Sequence, residues 1–160
     1  VMHIHATGKS GFAFAKKHFL ERGYTETEDG SLKRGNVTVR EYIYNMPSLV
    51  AAADVVISRA GAMTVSELAA MKKAAILIPS PNVTNNHQYK NAKVLADANG
   101  AVLIEEKDIS GKLLTDTVKE LCKNAEKRHE LEKNIAKFAV INSLERIYGV
   151  IEDTLKKSGK

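Results

Sequence analysis

Five short apolar runs rich in valine and isoleucine punctuate the chain: MHIHA (2–6), NVTVREYI (36–43), ADVVIS (53–58), AAILIP (74–79) and GAVLIE (100–105). Several are continuous rather than alternating, as strands covered on both faces should be. Between them lie SGFAFAKKHFLERG, MPSLVAAA, TVSELAAMKK and NNHQYKNAKVLADAN, whose apolar residues recur near helical spacing. Alternation of strand and helix predicts a parallel sheet with right-handed crossovers. After residue 108 the strand pattern stops, and residues 110–124, 126–140 and 142–157 read as amphipathic helices. The predicted fold is α/β, a Rossmann-like doubly wound parallel sheet with C-terminal helices. Residues 30–36, rich in glycine, asparagine and charge, read as an exposed loop.

A length of 160 residues fits one domain with a real core. The single Cys122 cannot form an internal disulfide, which implies a reducing compartment and a cytoplasmic location. No apolar stretch approaches the roughly 18 residues of a membrane span, and VMHIHATGK lacks the order of a signal peptide. Net charge +5 and pI near 9.2 favour anionic partners. Because 24 basic and 19 acidic residues are interspersed, phosphorylated small molecules or an anionic membrane surface fit at least as well as nucleic acid, and charge alone does not decide between them.

Open parallel sheets bind ligands beyond the carboxyl ends of their strands. Three segments lie there: HATGKSG, SRAGAMTVSE and PSPNVTNNHQ. Gly8-Lys9-Ser10 does not complete a P-loop, since His3 stands where that motif needs its first glycine. His3 and His5 share a strand face, but no third metal ligand accompanies them, and no metal or other cofactor is expected. Cys122 has no motif around it and reads as structural.

The second segment is the strongest local signal. Gly61, between Ala60 and Ala62, permits a sharp turn and a close ligand approach. Free amides at the helix start beyond it suit a phosphate group. Thr64-Val-Ser-Glu67 also matches a capping box, in which Glu67 bonds back to its own cap. Both readings of Glu67 stay open on local grounds. In the third segment Asn85 or Asn86 can cap the next helix. Gln88 and Asn91, three apart, then share a face that one polar ligand could touch, such as the hydroxyls of a sugar.

The strings ADVVISRAGAMTVSELAA and AILIPSPNVTNNHQYKNAKVLADANGAVLI, with HATGK, YIYNMPSLVAAAD and Leu144-Glu-Arg-Ile147, resemble the C-terminal, nucleotide-sugar-binding domain of glycosyltransferase family 28. The resemblance covers nearly the whole chain. It implies a GT-B architecture of two Rossmann-like halves. Residues 1–160 would form a single donor-binding domain, N-terminally truncated, with the acceptor domain absent. The implied activity is inverting transfer of N-acetylglucosamine from UDP-N-acetylglucosamine to undecaprenyl-pyrophosphoryl-muramoyl-pentapeptide (lipid I), giving lipid II for peptidoglycan. It also implies that Glu67 holds the UDP ribose and that backbone at Ala62, Met63 and Thr64 meets the diphosphate, with Gly61 counted among the substrate-binding residues at the turn before them. Main-chain groups at Ile43 would read uracil, with Met46 nearby, and His87, Gln88 and Asn91 would surround the sugar.

Catalytic residues are expected outside this chain, with the general base and lipid-binding surface in the absent half. This fragment alone is therefore expected to transfer no sugar. The full-length enzyme would sit peripherally on the cytoplasmic face of the membrane. Lys72 stands where the family commonly has glycine, Ala74 where it has proline, and His87 where it often has glutamine. The first two departures touch a turn and should cost stability rather than chemistry. Competing readings are another GT-B UDP-sugar enzyme, such as an epimerase or a donor-half subunit, and a non-catalytic nucleotide-binding module.

Overall fold

In a computed structural model, which describes residues 1–158, each of the five apolar runs contributes one strand. The chain divides into two compact units, Val1–Leu49 and Val50–Lys160. The first holds β1 (His3–Ala6), α1 (Lys9–Leu20), β2 (Thr25–Glu26), β3 (Leu32–Arg34) and β4 (Val37–Arg40). Helix α2 (Met46–Ala52) carries the chain into the second. That unit contains β5 (Val56–Ser58), α3 (Ala62–Ala70), β6 (Ala75–Leu77), α4 (His87–Asp97), β7 (Val102–Leu103), α5 (Gly111–Lys123), α6 (Ala125–Ile135) and α7 (Ser143–Lys157).

The first unit's sheet runs β1-β4-β3-β2, with β1 and β4 parallel and the β2-β3-β4 meander antiparallel. The meander occupies part of residues 30–36, read above as a loop. Its strands are only two and three residues long, too short to show a period of their own. They are held by pairing and by Leu32, fully buried and opposite the equally buried Val39. Ahead of β3, Asp29 Oδ1 accepts from Thr27 Oγ1 and Ser31 Oγ, both at 2.6 Å, and from the Ser31 N–H at 3.1 Å. These bonds, led by that from the Ser31 hydroxyl, hold the Asp29 carboxyl well below the usual carboxylate range, and nearby Arg40 adds to them. His3 and His5 do share a face of β1, with ring centroids 6.0 Å apart. Partial burial and His3 lower the pKa of His5.

The second unit's sheet is parallel throughout, β5-β6-β7 in register Ile57↔Ile76 and Leu77↔Leu103. Ala75, Ile76 and Leu77 are fully buried, as a continuous apolar run on a central strand demands. Leu77 joins Ala60, Leu68, Leu95 and Ile135 on one side; Ile76 joins Ala74, Leu121 and Leu131 on the other. Helices therefore cover both faces.

Two helices end in the same way. Lys73 N–H donates to Leu68 O and Lys72 N–H to Ala69 O, closing α3 in a Schellman motif whose left-handed residue is Lys72, φ 53°. Gly100 N–H to Leu95 O and Asn99 N–H to Ala96 O close α4 likewise, with Asn99 at φ 52°. Ser110 Oγ caps α5 through the Leu113 N–H, and Asn124 Oδ1 caps α6 through the Lys127 N–H. Along α7, Leu144, Ile147, Tyr148, Ile151 and Leu155 stand exposed.

Candidate functional site

Eight of the ten residues singled out in the sequence lie in the second unit, where β5 and β6 end and α3 and α4 begin; Ile43 and Met46 lie in the first. In the first unit Ile43 is buried, and neither its N–H nor its C=O has a backbone partner among the described residues. Met46 opens α2 and is 42% exposed.

Strand β5 ends at Ser58, and the chain turns through Arg59, the fully buried Ala60 and Gly61 into α3. Gly61 is the N-cap, and Val65 N–H donates to its carbonyl at 3.0 Å. Among the described residues, the N–H groups of Gly61, Ala62, Met63 and Thr64 make no backbone hydrogen bond outside α3, as expected of the first turn of a helix. With the helix dipole they form a patch of positive potential at the carboxyl end of the sheet.

The expected capping box does not form. The helix begins at Ala62, so Thr64 already lies inside the first turn, and no side chain caps the end. The chain leaving β5 reaches helical geometry before the motif arrives. Glu67 is exposed and takes part in none of the ion pairs among the described residues, so its carboxylate is not spent on the helix. Gly61 also departs from expectation: at φ −63° and ψ 149° any residue could adopt its backbone. A Cβ there would meet nothing closer than Thr64 Oγ1 at 3.9 Å. Neither turning nor crowding inside the protein requires glycine at this position.

The segment after β6 differs in detail from the cap expected of it. Asn85 and Asn86 are both left-handed, φ 54° and 51°, a conformation asparagine tolerates, and the Asn86 side chain does not cap α4. His87 is exposed, and its Nδ1 donates to Thr84 O at 2.8 Å. Gln88 and Asn91 do share a face, but what both touch is main chain. Gln88 Oε1 accepts from Ala60 N–H at 3.3 Å and from Ser80 N–H at 3.0 Å, while Asn91 Nδ2 donates to Ala60 O at 3.0 Å. The opposite ends of the two amides, Gln88 Nε2 and Asn91 Oδ1, are left for other partners.

Sequence reasoning missed Arg59 as an organiser of this end of the sheet. Its Nη1 donates to Ile78 O at 3.3 Å and pairs with Glu106, so one guanidinium spans the ends of β5, β6 and β7. Its place immediately after a strand was the available signal. Beside it, Pro79, Pro81, Asn86, Tyr89, Glu105, Glu106 and Lys107 line an open cleft of about 360 Å³. Ser58 Oγ is buried at the end of β5 without a hydrogen-bond partner among the described residues. No group of three or more His, Cys, Asp and Glu side chains gathers to hold a metal ion among the described residues.

This arrangement can receive an anion on main-chain amides, with an unengaged carboxylate one helical turn further on and amide groups across the next strand end. Comparison with known proteins agrees on the same family. The curated UDP-N-acetylglucosamine--N-acetylmuramyl-(pentapeptide) pyrophosphoryl-undecaprenol N-acetylglucosamine transferase of Acetivibrio thermocellus is 42% identical over 127 residues, covering 79% of this chain and 34% of its own length. The protein of the same name from Desulforamulus reducens is 36% identical over 155 residues, covering 96% of this chain and 40% of its own. The chain thus spans little more than a third of the length of the curated relatives it matches. In fold it is similar to the crystal structure of Acinetobacter baumannii MurG, with a TM-score of 0.75 at 24% identity, over 96% of this chain and 41% of that one. The model of the glycosyltransferase family 28 C-terminal domain matches residues 2–147, and the chain belongs to that family.

Proposed function

We propose that this chain is the donor-binding half of an inverting hexosyltransferase that moves N-acetylglucosamine from UDP-N-acetylglucosamine to lipid I, yielding lipid II. The observation that carries the reading is the unpartnered first turn of α3, followed by the unengaged Glu67, in a chain of this family. The N–H groups of residues 61–64 receive the diphosphate, and Glu67 accepts hydrogen bonds from the ribose hydroxyls. The free main-chain groups of Ile43 read uracil, with Met46 beside the base. His87, Gln88 and Asn91 face the sugar.

In the reaction, an acceptor hydroxyl attacks the anomeric carbon, its proton passes to a general base, and the bond from that carbon to the diphosphate breaks with inversion. Negative charge then grows on UDP. Amides already fixed at a helix terminus stabilise that charge without reorganising, which is the source of their catalytic value. The base and the lipid I surface belong to sequence beyond these 160 residues, and the whole enzyme works peripherally on the cytoplasmic face of the membrane.

Titration of the chain with UDP tests the reading. Glu67→Ala removes a charged hydrogen-bond acceptor that no bond among the described residues uses, and should weaken binding by about 1.5–3 kcal/mol, roughly 10- to 150-fold. A folded variant with unchanged UDP affinity refutes the ribose role.

A further inference from the structure

Gln88 and Asn91 both bond to the main chain of Ala60, the residue that precedes the proposed diphosphate cradle. Ala60 is fully buried and gripped at both ends, its N–H by Gln88 Oε1 and its C=O by Asn91 Nδ2. The carbonyl of Ala60 and the N–H of Gly61 belong to one planar peptide and point in opposite directions. Holding that carbonyl therefore sets the direction of the Gly61 N–H, the first amide of the cluster. Gln88 holds the preceding peptide and, through Ser80 N–H, the end of β6 as well. Gly61 has no side chain with which to fix its own peptide, and its conformation is one that many turns share.

We infer that Gln88 and Asn91 are positioning residues for the amide cluster at the start of α3: from α4 they fix the peptides on either side of Ala60, so that they govern binding of the diphosphate and not only of the sugar. The inference rests on the donor-binding reading above. It separates the two amides by chemistry. Asn91 is needed as a donor, so Asn91→Asp sets a carboxylate oxygen against the Ala60 carbonyl and breaks the hold. Gln88 is needed as an acceptor, so Gln88→Glu retains the atom that matters and loses less than Gln88→Leu.

The test is calorimetric titration of the 160-residue chain with UDP, which has no sugar, and with UDP-N-acetylglucosamine, alongside amide spectra without ligand. Asn91→Asp should raise the Kd for UDP at least fivefold and that for the sugar nucleotide by a similar factor. Gln88→Glu should recover part of the affinity that Gln88→Leu loses. Without ligand, the amide resonances of residues 60–62 should move in Asn91→Asp. Loss confined to UDP-N-acetylglucosamine, with UDP affinity unchanged in folded variants, overturns the positioning role and leaves the donor-binding reading standing. Unmoved resonances overturn it independently of any ligand. Wild-type chain that fails to bind UDP sinks the donor-binding reading itself, and the proposal with it.

Discussion

Lys72 holds a left-handed backbone at the end of α3, and replacing it with glycine should stabilise the protein. A residue bearing a Cβ pays about 1–2 kcal/mol for that conformation. Glycine does not, though its freer unfolded chain returns about 0.5–1 kcal/mol of the gain. The Lys72 side chain is exposed and joins no ion pair among the described residues, so little else changes. Both Schellman bonds are made by main chain and survive the substitution. The net gain is about 0.5–1 kcal/mol, or a rise in melting midpoint of roughly 1–4 °C, read by thermal unfolding followed by circular dichroism. Asn99, at nearly the same φ in the equivalent position after α4, is the internal control. Asparagine tolerates this region, so Asn99→Gly should gain less than half as much. A Lys72→Gly protein that melts at or below the wild-type midpoint refutes the strain argument. Equal gains at both positions would show that something other than the lysine Cβ is responsible.

Gly61→Ala should leave the melting midpoint unchanged or slightly raised, since the added Cβ meets no protein atom closer than 3.9 Å; titration should nonetheless show UDP binding weakened at least tenfold, and unchanged affinity would remove the ligand from this turn. Gly100→Ala should do the reverse, because its Cβ would lie 3.1 Å from Ile135 N and 3.2 Å from Ile135 Cα, backbone that cannot swing aside. A cost of about 1–3 kcal/mol in denaturant unfolding is expected. In the first unit, the depressed carboxyl of Asp29 contributes stability that is fully present above the unfolded-chain value of about 4 and is lost only as pH falls through the lower folded value. Ser31→Ala removes the largest cause of that depression, so NMR titration of Asp29 should show its pKa moving up toward the ordinary carboxylate range.

Element type was legible wherever burial imposed a period. The continuous run AAILIP read as a strand covered on both faces, and Ile76 and Leu77 are fully buried, each in a separate apolar cluster. The β2-β3 hairpin was not legible, because strands of two and three residues are created by pairing, β3 on β4 and β2 on β3, and not by their own alternation. The capping box was a local rule overridden by a distant fact. Where α3 starts depends on where β5 releases the chain, and that depends on register with β6. The motif's Thr64 stands three residues past the observed N-cap, Gly61, too late to cap the helix, which left Glu67 unspent.

The pair Gln88 and Asn91 marks how far a pattern can carry. Helical spacing correctly placed both amides on one face, because that follows from geometry within α4. Their partner lies 28 and 31 positions earlier in the chain, where only the assembled sheet can bring it. A polar face read from sequence states that hydrogen bonds will be made there, not with what. Here each amide is divided, one end to the main chain of Ala60 and one end left over. The same side chain can therefore hold the cradle and still offer a group to what lies in it. That division means a loss of sugar affinity in an Asn91 variant does not by itself identify a sugar contact: the comparison with UDP alone is what separates a hand on the ligand from a hand on the protein.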